Sequence, residues 1–171
     1  PGPMSGQLRP PRRPLRALGR RAGQGPLVQR RGLRHGGLTG QYAFITDYSY
    51  GVRLLDLSNP AAPVEVPSGF IPVQGGMESL DIYGSVLYAA DYNAGLRIFD
   101  ITDPLHPVEQ TPYPLDQTEW VWVQGNRAYV ADGGIGLYIL DLTNPLAPVE
   151  LGHWDSPGYA AHMDVDGNTA Y

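Results

Sequence analysis

The chain has 171 residues with 17 acids, 12 basic residues and a formal charge of −5, and it contains no cysteine, which excludes disulfides and thiol chemistry from this sequence. Nine of its arginines fall in residues 1–40, which hold no acid, while residues 41–171 carry three arginines against all 17 acids, a formal −14. That asymmetry marks a tail joined to a domain of different character, and no apolar run approaches the ~20 residues of a membrane-spanning helix.

Residues 1–37 are rich in Pro, Gly and Arg and almost free of periodic apolar residues. Such a segment buries too little surface to offset its ordering entropy, so it is expected to be disordered. One reading is a basic arm for nucleic acid or anionic lipid. The competing reading is a low-complexity leader or an out-of-frame translation, and the abrupt onset of the repeat pattern near Leu38 favours it. No nucleic-acid partner is expected. The arm lacks interleaved aromatics, and the −14 body would repel phosphate. Leu15–Leu27 is too broken by Arg, Gly and Pro for a signal-peptide core. A chain that starts at Pro1 and stops at Tyr171 in mid-repeat reads as a piece of a longer reading frame.

From Gly40 onward one unit recurs. A turn glycine is followed four residues later by an aromatic and three residues after that by Asp. The sets are Gly40, Phe44 and Asp47; Gly84, Tyr88 and Asp91; Gly125, Tyr129 and Asp132; and a last partial set, Gly167 and Tyr171. Strands are predicted at Tyr42–Asp47, Val52–Leu57, Leu80–Tyr83, Val86–Asp91, Leu96–Ile101, Val121–Gln124, Ala128–Asp132 and Leu137–Leu142. Within each unit a hairpin loop follows the second strand: Tyr48-Ser49-Tyr50-Gly51, Tyr92-Asn93-Ala94-Gly95 and Gly133-Gly134-Ile135-Gly136. The third strand ends in Asp56, Asp100 or Asp141, ahead of Ser/Thr-Asn/Asp-Pro, a second proline and a short Val-Glu strand. Proline suits an outer edge. The third strand is apolar on both faces, as a sheet sandwiched between two others requires.

Four antiparallel strands in every 41–44 residues make the blade of a β-propeller, so the fold class is all-β, a partial propeller over residues 38–171 with repeats at about 38–76, 77–118, 119–159 and 160–171. These segments resemble the LVIVD-repeat family: Gly-x-x-Ala/Leu-Tyr-x-Ala-Asp, Gly-Leu-x-Ile-x-Asp, and Asp-x-Ser/Thr-Asn/Asp-Pro-x-x-Pro-Val-Glu. The resemblance implies a secreted or surface-attached bacterial or archaeal propeller. Closing such a ring typically takes ~4–8 blades, so the remaining blades are expected as partners in closure.

Six aspartates recur in register. A ring of carboxylates invites a divalent cation, since hard cations take oxygen ligands. Repetition in every blade favours a structural role instead. Asp56, Asp100 and Asp141 are placed to accept backbone N–H groups of the following turn, and Asp47, Asp91 and Asp132 sit at the hairpin mouths. Positions that differ between blades point to binding: Glu78, Glu119, Trp120, Tyr159 and His162 near the starts of the inner strands, and Tyr48, Tyr50, Tyr92 and Asn93 at the hairpin tips. Ser79, Asp81 and Trp122 also diverge between units. Propeller topology gathers the first two groups on one end, which is the expected docking face for a protein or glycan. Sequence signatures of catalysis are absent: no Gly-x-Ser-x-Gly, no phosphate-cradling loop and no His-Glu-x-x-His. No cofactor is evident. The competing reading is an extracytoplasmic hydrolase-like site of acids and His162 near the axis, with a divalent cation.

Overall fold

The computed structural model describes residues 36–171 apart from 49, 74, 75 and 168. The disorder expected for residues 1–37 therefore lies outside the described residues, save for Gly36 and Gly37, which open the first strand. Blade 1 comprises β1 (Gly36–Thr39), β2 (Tyr42–Asp47), β3 (Gly51–Asp56) and β4 (Val64–Glu65), with β5 (Ile71–Pro72) added alongside β3. Blade 2 is β6 (Met77–Tyr83), β7 (Val86–Asp91), β8 (Gly95–Asp100) and β9 (Val108–Glu109). Blade 3 is β10 (Thr118–Gln124), β11 (Arg127–Asp132), β12 (Gly136–Asp141) and β13 (Val149–Asp155). A two-stranded hairpin follows, β14 (Val165–Asp166) and β15 (Thr169–Ala170). Among the described residues every pairing is antiparallel, and the strands form four separate sheets.

The period-2 pattern of the second strand explains how blades stack. In β7 all six residues are buried. Leu87 and Ala89 pack with Phe44, Val52, Leu54 and Ile71 of blade 1. Val86, Tyr88 and Ala90 pack with Val121, Ala128, Val130 and Leu140 of blade 3. One strand thus feeds two cores, which only alternate side-chain directions allow. The Tyr88 hydroxyl, deep in the second core, donates to the Pro145 carbonyl at 2.6 Å, and burial pushes its pKa up. The third strands follow the same logic less completely. In β8 four of six residues are buried, whereas Leu137 and Ile139 of β12 are only half-buried because a short hairpin, not a full blade, flanks their face.

Glycine is required where the first strand turns into the second. Gly84 and Gly125 sit at φ +59° and +61°, a region other residues enter only at a cost. Two elements depart from the sequence expectation. The strand β1 was not foreseen, because Gly36-Gly37-Leu38-Thr39 has no alternation; it forms against blade 2, where a Cβ on Gly37 would lie 2.4 Å from Ile82 Cδ1. The Val-Glu strand is two residues long in blades 1 and 2 but seven in blade 3. Prolines at 67, 72, 112 and 114 interrupt the first two, which resume only as β5 and as a bridge between Tyr113 and Leu96. No proline stands between Pro148 and Pro157, so β13 runs on.

Candidate functional site

The inner strands β6 and β10 each begin with a β-bulge. Met77 pairs with Asp91 and Ser79 with Ala90, which leaves Glu78 as the extra residue. Thr118 pairs with Asp132 and Trp120 with Ala131, which leaves Glu119 in the same place one blade on. A bulge re-aims its side chain out of the pleat, and bulges concentrate beside functional sites for that reason. The two carboxylates are near enough to repel each other. Partial burial, with Glu119's charge added, raises the pKa of Glu78. Tyr159 completes the group by donating its hydroxyl to Glu119 Oε1. That bond holds the phenol protonated, with burial and a Tyr92 contact acting in the same direction.

Beside this group Trp120, only 9% exposed, faces the His162 ring at 5.0 Å between centroids. The structure thus brings Glu78, Tyr92, Glu119 and Tyr159 into one interacting group, and Trp120 with His162 into an adjoining one. Asn93 and Tyr92 lie against Gly76, where a Cβ would approach them to 2.9 and 3.0 Å. The rings of Tyr48 and Tyr50 stand exposed on the blade 1 hairpin, and the Tyr48 carbonyl receives the N–H groups of Gly76 and Met77. All of these residues belong to hairpin tips or to the inner-strand starts and the leads into them. His162 meets an aromatic ring here rather than a carboxylate. Among the described residues no three His, Cys, Asp or Glu side chains are grouped to hold a metal ion.

Two divergent positions prove to be structural. Ser79 Oγ accepts the N–H of Val121 at 2.9 Å, and Asp81 Oδ2 accepts that of Val123 at 2.8 Å. Both side chains are buried and bind the free edge of the next inner strand, so they do not belong to a binding surface. The third-strand aspartates act at their turns. Asp56, Asp100 and Asp141 accept the N–H two residues on at 2.7, 2.8 and 2.9 Å, and Asp100 and Asp141 also accept the Thr102 and Thr143 hydroxyls.

The hairpin-mouth aspartates are not equivalent to one another. Arg53 Nε reaches Asp47 Oδ2 at 2.7 Å while its Nη1 reaches Glu65 at 2.7 Å. Arg97 lies 3.6 Å from Asp91 Oδ2 and grips Glu109 through two nitrogens at 2.7 and 2.9 Å. At the corresponding position, six residues after Asp132, blade 3 has Tyr138. Asp132 Oδ1 accepts the Gln117 N–H at 2.8 Å, but Oδ2 is buried with no hydrogen-bond partner. The sequence reading weighed a cation site for Asp132, favoured a structural role, and passed over Gln117, Thr118 and Tyr138 as site residues. The signal was legible in the Arg, Arg, Tyr series at positions 53, 97 and 138.

Stacked four-stranded blades with a shared inner edge define a propeller-like repeat protein. A family model described as the LVIVD repeat matches residues 37–68, 74–114 and 117–156, and the chain belongs to that family. No curated protein matches it. Among solved structures it is similar to the crystal structure of the computationally designed Ika4 protein, with a TM-score of 0.60 at 8% identity over 86% of this chain and 90% of that one, a likeness of fold alone.

Proposed function

We propose that the chain is a non-catalytic binding module of a secreted or cell-surface protein, docking a protein or glycan on the end where the hairpin tips and inner-strand starts meet. The observation that carries this reading is the pair of bulged glutamates, Glu78 and Glu119, joined to Tyr159 and Tyr92 at one end of two adjacent blades. Carboxylates that accept hydrogen bonds, set among phenol rings, suit hydroxyl-rich or amide-rich ligands, because each ring offers apolar area and each acid fixes orientation. The blades repeat their scaffold closely at the opposite end and differ here, as a surface selected for one partner would.

The test compares two double variants of the full chain on immobilised glycans and candidate surface proteins. Glu119→Ala with Tyr159→Phe is expected to remove binding. Ser85→Ala with Asn126→Ala, at the opposite end, is expected to keep it. Equal binding by both would remove this face from consideration.

A further inference from the structure

Blade 3 keeps both carboxylates that hold a guanidinium in blades 1 and 2 but lacks the arginine. Asp132 corresponds to Asp47 and Asp91, and Glu150 to Glu65 and Glu109. Asp132 Oδ2 is buried and unpartnered, and across the β10–β11 register Thr118 Oγ1 is buried and unpartnered too. A buried carboxylate oxygen with no donor is costly, so an occupant that supplies N–H groups and positive charge is strongly favoured. The neighbouring groups suit such an occupant. Tyr138 takes the arginine's place on β12, facing blade 2, and its ring lies 5.5 Å from that of His153. Burial raises its pKa, and the charges of Asp132, Glu150, Asp155 and Asp116 raise it further. Tyr113, from blade 2, donates to Glu150 at 3.2 Å. Glu150, His153, Asp155 and Asp116 are exposed around Tyr138.

We infer that the junction of blades 2 and 3 at Asp132 and Glu150 receives the guanidinium of an arginine side chain from a partner protein as the Tyr138 ring turns aside, which replaces in trans the arginine that blades 1 and 2 supply in cis. The chain itself demonstrates the chemistry twice. In both blades the guanidinium spans the Asp and the Glu and lies near an aromatic ring, Arg53 5.8 Å from the Phe70 centroid and Arg97 4.9 Å from that of Phe99. In blade 3 Leu140 stands at the Phe99 position, and Tyr138, at the arginine's own position, supplies the aromatic face. A planar fork of donors matches a carboxylate pair better than an ammonium does. The dearth of clustered metal ligands among the described residues favours an organic cation over a metal ion. Tyr138 and Glu150, on β12 and β13, lie further out on the blade than β10, which carries Glu119.

The probe is N-acetyl-arginine amide, with N-acetyl-citrulline amide as its uncharged analogue, titrated into the full chain. The readouts are thermal melting and the NMR signals of Tyr138 and His153. The arginine amide is expected to raise the Tm and shift both residues, and the citrulline amide to do neither. Tyr138→Arg is expected to raise the Tm without ligand and to abolish the probe's effect, and adding Asp132→Asn to it is expected to remove most of that gain. Glu119→Ala is expected to leave the arginine response intact, which separates this site from the axial face. Equal responses to both amides would overturn the inference. So would unchanged arginine binding by Asp132→Asn, which decides the matter even if Tyr138→Arg fails to fold. A folded Tyr138→Arg with a Tm at or below the parent's would count against it equally.

Discussion

His153 and Glu150 show what a single extra residue in a strand does. Because β13 continues past its bulge, His153 comes opposite Tyr138 and its Nδ1 sits 2.8 Å from Glu150 Oε1. The hydrogen bond to Glu150 raises the imidazole pKa, and the same bond is the main cause of the lowered Glu150 pKa. Each shift has its own window. The histidine's contribution to stability is full below its unfolded pKa and fades as pH rises through the raised folded value. The glutamate's is full above its unfolded pKa and fades as pH falls through the lowered folded value. Both groups are exposed, so the effect on overall stability is small. The expected outcome is an NMR titration midpoint for His153 above the usual value of about 6.5, returning toward it in Glu150→Gln. A midpoint unmoved by that substitution would show that Glu150 does not hold the imidazolium.

Among elements, the turn after each third strand is the most regular. An Asp carboxylate takes the N–H two residues on, and a threonine hydroxyl joins it in blades 2 and 3. Those bonds, the Thr102 hydroxyl's first, lower the pKa of Asp100, so the stability they confer is lost as pH falls through that lowered value. Asp141→Ala is expected to lower the Tm without altering ligand binding. Asp141→Asn, whose amide oxygen still accepts, is expected to lower it less. Matching melting curves for the two variants would refute the acceptor role. The hairpin exits are the second constrained element. Gly95 has φ +80°, and a Cβ there would lie 2.7 Å from the Tyr113 carbonyl oxygen. Gly95→Ala combines backbone strain with that contact and is expected to destabilise by about 1–3 kcal/mol, measured by urea unfolding. The mouth aspartates were harder to read from sequence. Their repetition is visible, but whether each finds a cation depends on a residue six positions away.

At the scale of the molecule, stability resides between blades rather than within them. Each sheet is a single layer, and its apolar side chains become core only when a neighbour covers them. Leu87 is fully buried between blades 1 and 2, and Leu87→Ala is expected to cost about 2–5 kcal/mol. Loss of tertiary signal should accompany it even where circular dichroism still reports strands. Beyond blade 3 the cover is thinner. A groove of about 350 Å³ runs along Leu137, Trp154, Met163 and Tyr171, and Trp154 is 60% exposed.

The sequence by itself determined the second and third strands of blades 2 and 3, the turn glycines and the aspartate-capped turns. Each is specified by residues within a few positions of one another, and threefold repetition made the signal unambiguous. It also placed Glu78, Glu119, Tyr92 and Tyr159 at one end, because strand alternation and hairpin order fix which loops share an end. Tertiary structure decided the rest. Pairing with β2 and packing against blade 2 make a strand of Gly36–Thr39, whose own residues carry no pattern. Only the facing edge of β10 turns Ser79 and Asp81 from divergent surface positions into buried acceptors. The partnerless Oδ2 of Asp132 emerges from three strands at once, since β10 buries it, β11 carries it, and β12 brings a tyrosine to the place where an arginine stands in the other blades.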